Sequence, residues 1–166
     1  LFTDLGQGVP SESACREHVS ALAGAEIMRV KNLLSGKNLF IMVDESEVAG
    51  DKFLNILVGD VEVPTQVFLL DCSAIATADQ YVVSSKIEDC LQRILCCPRE
   101  NVWLLLSDAA SYMRASGGAL KVLYPKLFHV TCLAHMLHNC AERIRSFFHD
   151  VDNLIARIKA LTRKNK

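Results

Sequence analysis

The sequence contains no apolar run near the roughly 18 residues a bilayer span needs, and no basic stretch followed by an apolar segment opens it. Neither a membrane anchor nor a secretion signal is visible. Proline is scarce, 4 in 166 residues, and the net charge is only −1, whereas 51% of residues are hydrophobic. A disordered chain has the opposite composition. A Gly-rich phosphate loop is lacking, because Gly117 and Gly118 fall inside a helical pattern and Gly6, Gly8, Gly24 and Gly36 do not follow strands as such a loop requires. A Gly-x-Ser-x-Gly elbow is lacking too, and Cys72 after an apolar run has no evident His partner. The 7 cysteines are odd in number and irregularly spaced, with Cys96 beside Cys97. That pattern argues against a disulfide framework and for free thiols in a reducing compartment, cytosol or nucleus.

What remains is a half-apolar chain large enough to bury one core. It begins at Leu1, not Met, and ends in Thr162-Arg163-Lys164-Asn165-Lys166 directly after a helical pattern, as a piece of a longer polypeptide would. The balanced charge hides an asymmetry. Residues 1–108 hold 8 Lys/Arg against 16 Asp/Glu, and residues 109–166 hold 10 against 3. The basic part, with Arg143, Arg145, Arg157, Lys159, Arg163 and Lys164, suits either a polyanion such as DNA or a solvated surface.

Ser11 or Ser13 can cap a helix running to about Leu34, whose apolar positions Val19, Leu22, Ala23, Ile27, Val30 and Leu34 recur at helical steps before Ser35-Gly36 stops it. Three strand-like runs follow: Leu39 to Val43, Phe53 to Val58, and Val67 to Leu70. Their short connections predict an antiparallel meander. Residues 77 to 95 read as a helix with Thr77 as a cap, Asp79 in the first turn, and Val83, Ile87, Leu91, Ile94 and Leu95 inward. Val102 to Leu106 is a nearly continuous apolar run, as expected of a strand covered on both faces. A helix from about Ala109 to Leu123, a strand over Leu127 to Thr131, a helix from Leu133 to Phe148 and another from Val151 to Leu161 complete the order, the last with Leu154, Ile155, Ile158 and Leu161 inward. Right-handed crossovers then place the later strands parallel to the first. The expected fold is α/β, a ribonuclease H-like mixed five-stranded sheet, three antiparallel strands then αβαβα, flanked by helices and preceded by an extra N-terminal helix.

Asp44 closes the first strand and Asp108 the fourth. If those strands are parallel neighbours, both carboxylates converge at one crevice beyond the strand ends, where open α/β sheets bind ligands. Two such carboxylates repel unless a divalent cation joins them, and oxygen ligands suit Mg²⁺ or Mn²⁺. The competing role for Asp108 is to cap the helix that follows. Glu45 and Glu47 receive no role, and Asp71, ending the third strand, falls on the opposite rim. Cys132 and His135, three residues apart, share a helix face and can ligate zinc, but no second ligand pair lies upstream and His138 and Cys140 do not readily join that face. A buried Cys beside a locally hydrogen-bonded His is the alternative.

Taken together, these segments resemble the catalytic core of hAT-superfamily transposases and the host proteins derived from them. The resemblance lies in Gly8-Val9-Pro10-Ser11-Glu12-Ser13 with Arg16, in Phe40 to Ser46 around Asp44, in Leu104 to Met113 around Asp108, and in Tyr124-Pro125 with Phe128 to Asn139. The last, containing Cys132-Leu133-Ala134-His135, is the most specific. The resemblance implies a ribonuclease H-like domain that uses three carboxylates and two divalent metals to cut and join DNA. Asp44 matches the first carboxylate, Asp108 the second, and Cys132 with His135 the motif beside the active site. In the family a helical insertion and a third acidic residue follow, and neither they nor an N-terminal zinc finger is found here. The expectation is therefore an N-terminal helical segment over 1–36 and a core over 37–166 cut short before the insertion. The resemblance further implies a fragment of a nuclear DNA transposase lineage (cytoplasm being the alternative site), inactive alone, with Mg²⁺ or Mn²⁺ as cofactor, DNA as partner and homo-oligomers formed through regions outside the chain. The alternative is a domesticated, non-catalytic module that binds nucleic acid or protein and serves nuclear regulation.

Overall fold

The computed structural model describes residues 11–163. Helix α1 spans Glu12–Leu34, and Ser11 caps it by accepting a bond from the Ala14 amide. Strands β1 (Leu39–Val48), β2 (Asp51–Asp60) and β3 (Val67–Ile75) form the meander. Helix α2 (Gln80–Asp89) is capped by Asp79, which accepts from the amides of Tyr81 and Val82 and so takes the role expected of Thr77. A π-helical turn, Cys90–Ile94, ends that segment. Then come β4 (Val102–Ser107), α3 (Ser111–Leu123), β5 (Phe128–Thr131), α4 (Leu133–Arg145) and α5 (His149–Arg163). The sheet order is β3-β2-β1-β4-β5, with β1 antiparallel to β2, β2 antiparallel to β3, and β1, β4 and β5 parallel. This is the mixed five-stranded ribonuclease H-like topology anticipated from the order of elements.

Three of the strands are longer than their apolar runs. β1 continues through Asp44 to Val48 and β3 through Asp71 to Ile75, so neither aspartate closes its strand. The polar residues are accommodated because the β1–β2 ribbon, out to Val48 opposite Asp51, needs only backbone pairing to persist. Asp71 lies opposite Ile56 beside a register shift, in the strand furthest from β4 on that side of the sheet.

Register decides what each face carries. Leu69, Leu57, Met42, Leu106 and Val130 are successive partners across all five strands and so share one face. Their neighbours Val58, Ile41 and Leu105 form a row on the other, where all three are buried. Helices α2 and α3, through Val83, Ile87, Met113 and Leu120, the π-helical turn, through Leu91, and the end of α1, through Val30 and Leu34, join that second row in one core. β4 was expected to be covered on both faces. Instead Val102 and Leu105 are buried while Leu104 and Leu106 are only half-buried. In α5, Leu154, Ile158 and Leu161, expected inward, are exposed, and in α1 so are Val19 and Leu22.

Gly117 makes the α3–β5 contact possible, since a Cβ there would lie 2.2 Å from Nδ1 of His129. A second fixed point is Tyr124, fully buried, whose hydroxyl donates to Glu88, with Gln92 donating to it at 3.2 Å. All seven cysteines are free thiols, and burial pushes those of Cys90 and Cys97 up to about 12 and about 11. Among the described residues no helix is long and apolar enough to cross a membrane.

Candidate metal site

The β1–β4 ladder ends at Met42 opposite Leu106. Continuing the same register by two residues sets Asp44 opposite Asp108, and a two-residue step returns each side chain to the face of Met42 and Leu106. Both aspartates line one cleft of about 260 Å³ with Met42, Leu57, Leu106, Cys132 and His135. Both aspartates thus line the same cleft, Asp44 from within a strand.

Asp108 does not take the competing role of helix cap, since Ala110 is the N-cap residue of α3 and no side chain caps its first turn. Its Oδ1 accepts the Ala110 amide at 3.0 Å, shaping the turn that leads into α3. That bond occupies one oxygen and fixes the carboxylate at the cleft. Ser107 beneath it is buried, donates to the Asp108 carbonyl at 2.9 Å and meets Nε2 of His129 at 2.8 Å. Burial lowers the His129 pKa, favouring the neutral ring.

The start of α4 closes one side. The Cys132 amide donates to the Ser107 carbonyl at 2.7 Å, so the chain leaving β5 is tied to the end of β4. Cys132 is the N-cap residue, preceding the helix and not on its face. The backbone N–H of His135, then its ring, hold the Cys132 thiol below its ordinary range. Reciprocally, hydrogen bonding to Cys132, with smaller contributions from the charges of Cys132, Asp44 and Asp108, raises the His135 pKa. His135 Nε2 lies 3.7 Å from Asp44 Oδ1, both side chains about half exposed. His138 and Cys140 are exposed on α4 and line no part of the cleft.

One contributor had been assigned no role. Glu45, on the opposite face from Asp44, accepts from Lys52 Nζ at 2.7 Å and from the Tyr112 hydroxyl at 3.0 Å. Lys52 is the main cause of its depressed pKa. Tyr112 is pushed upward by burial first, then by its bond to Glu45, and further by the charges of Glu45, Asp108 and Asp44. Glu45 therefore staples β1, beside Asp44, to β2 and to α3. The hairpin register could have disclosed Lys52; the link to Tyr112, 67 residues away, needs the tertiary fold.

Of the basic residues, Arg143, Arg157 and Lys159 are exposed on α4 and α5. Arg145 is engaged, with Glu142 at 2.6 Å and Asp152 at 3.0 Å, and so joins the two helices. The Arg163 side chain and Lys164 lie outside the described residues.

Among the described residues no group of three or more His, Cys, Asp and Glu is placed to hold a metal. The donor set on offer is therefore two carboxylates. That fits Mg²⁺ or Mn²⁺, which commonly take one or two protein carboxylates and fill the remaining positions with water or phosphate oxygens.

No family model and no curated protein matches the chain. Among solved structures it is similar to the HTLV-2 integrase catalytic core domain, determined in complex with magnesium in a dimeric form, with TM-score 0.37 and 12% identity over 70% of this chain and 74% of that one. It is also similar to a chain of the pre-cleavage Mos1 transpososome, with TM-score 0.39 and 16% identity over 81% of this chain and 48% of that one.

Proposed function

We propose that the chain is a core portion of a hAT-type DNA transposase or of a protein derived from one, carrying two of the carboxylates of a metal-dependent phosphoryl-transfer site. The observation that carries this reading is the meeting of Asp44 and Asp108, from parallel neighbours β1 and β4, in one cleft. Asp44 and Asp108 would hold Mg²⁺ or Mn²⁺. The ion, when bound, clamps phosphoryl oxygens and neutralises charge developing on them. The chain's own groups prepare that place. Ala110 orients Asp108, and the Glu45–Tyr112 bond steadies β1. DNA phosphates would be met by Arg143, Arg157 and Lys159, with the salt-sensitive binding that counterion release produces. Such a protein works in the nucleus.

In this reading the 166 residues bind a cation and do not cut, because two carboxylates hold a two-metal centre poorly. Incubating supercoiled plasmid with the protein and Mn²⁺ tests the second half, and titrating Mn²⁺ into the wild type and the two aspartate variants tests the first. No nicking is expected; nicking abolished by Asp108→Ala would overturn the inactivity, whereas loss of cation binding in neither aspartate variant would remove the site. A domesticated, non-catalytic module is favoured by a different observation, the uncovered apolar sheet face.

A further inference from the structure

At the end of the sheet opposite the Asp44–Asp108 cleft, where β1 and β4 begin, a cavity of about 320 Å³ lies between the last turn of α1 and the segment after the π-helical turn. Lys31 and Cys96 both line it, with Lys37, Leu39, Pro98 and Asn101 around them. Lys31 Nζ donates to the Cys96 sulfur at 2.9 Å, joining an amine and a thiol that lie 65 residues apart.

The backbone sets this pair up. Cys96 follows Leu95, the C-cap of the π-helical turn, and the Cys97 amide reaches back to the Leu91 carbonyl at 2.9 Å. Such a closure places a left-handed residue just past the cap, where glycine is usual. Cys96 takes that position with φ 52°, so a thiol stands where a glycine would leave the cavity without one. The neighbouring thiols differ. Cys97 and Cys90 are buried and their pKa values are pushed up, whereas Cys96 is exposed. Oxidation follows exposure and thiolate character, so a small oxidant meets Cys96 before either of them.

We propose that Lys31 and Cys96 form an oxidative modification site, which hydrogen peroxide closes into a sulfur–nitrogen bond between α1 and the segment that follows α2. In the first step the Cys96 sulfur attacks peroxide. An S–O bond forms, the O–O bond breaks, and the products are a sulfenic acid and water, the sulfur being oxidised and the peroxide reduced. In the second, the Lys31 amine attacks the sulfenic sulfur as its free base. The S–N bond forms, the S–O bond breaks, and the hydroxyl leaves as water with a proton from the nitrogen. Sulfenic acids condense with a nearby nitrogen in this way. A nitrogen 2.9 Å from the sulfur already stands inside the ~3–3.5 Å at which reacting atoms are poised. The link fastens the end of α1, whose Val30 and Leu34 are buried in the core, to the chain that leads into β4. The inference stands on this pair and not on the transposase reading.

Peptide mapping by mass spectrometry tests it on the full chain after brief treatment with hydrogen peroxide, with Lys31→Arg and Cys96→Gly as variants. The wild type should yield the Lys31 and Cys96 peptides joined, lighter by two hydrogens than their sum, with Cys97 still open to alkylation after unfolding. Dithiothreitol should release them. Lys31→Arg should abolish the link and leave a Cys96 sulfenic acid that dimedone traps. Cys96→Gly, which suits the left-handed backbone, should abolish both products. A Cys96–Cys97 disulfide in place of the link overturns the proposal, as does oxidation of wild-type Cys96 to sulfinic acid with no link to Lys31. A joined peptide that persists in Lys31→Arg overturns it too. Circular dichroism confirms that both variants remain folded.

Discussion

The two faces of the sheet are built from alternate residues of the same strands, yet they do different work. On the covered face Leu39, Ile41, Val43, Leu54, Ile56 and Val58 are buried against α2 and α3, and this face holds the fold together. On the other, Met42 and Leu57 are half-buried, Asp44 is half exposed, and the cleft opens. The difference teaches that one strand can serve stability and chemistry at once, because successive side chains point to opposite sides.

Adjacent residues of β2 give the sharpest way to break that contrast. Ile56→Ala, deleting a side chain 1% exposed, should cost about 2–5 kcal/mol of unfolding free energy, while Leu57→Ala costs about 1 kcal/mol. Urea denaturation measures both, and equal losses would mean the faces are equally covered. Next in size is Gly117→Ala, where the added methyl meets the His129 ring and should cost about 1–3 kcal/mol by the same assay. Tyr112→Phe removes one of the two bonds to Glu45 and should cost about 1 kcal/mol, with the Lys52 contact retained.

The smallest expected effect concerns the cleft rim. Cys132→Ser should bring the His135 pKa down toward its ordinary value, read from the imidazole proton shifts by NMR. Because the His135 pKa is raised in the fold, its contribution to stability is present below the ordinary histidine value and fades as pH rises through the folded value. The variant should lose most of that dependence. An unchanged titration would remove Cys132 as the main cause.

Strand order was legible in the sequence because apolar runs and short connections leave few topologies. The meeting of Asp44 with Asp108 followed from that order. Strand ends were not legible. Glu45, Ser46 and Glu47 break the apolar run, but backbone pairing in a two-stranded ribbon continues through polar residues, so β1 passes Asp44 and β3 passes Asp71. Burial of α5 was misjudged for a related reason. The periodicity of Leu154, Ile158 and Leu161, like that of Val19, Leu22 and Ile27 in α1, defines an apolar face and says nothing of whether a neighbour covers it. Glu45 escaped notice because its second partner, Tyr112, is distant in sequence, and Asp79 displaced Thr77 as a cap because its carboxylate serves two amides at once.

The central claim is that Asp44 and Asp108 share one divalent cation. Titrating Mn²⁺ into the protein, with free ion followed by electron paramagnetic resonance, tests it most directly. One site is expected in the wild type, with binding weakened at least about tenfold in Asp44→Asn and likewise in Asp108→Asn, since each removes one of only two carboxylate ligands. Wild-type affinity retained in both variants would contradict it.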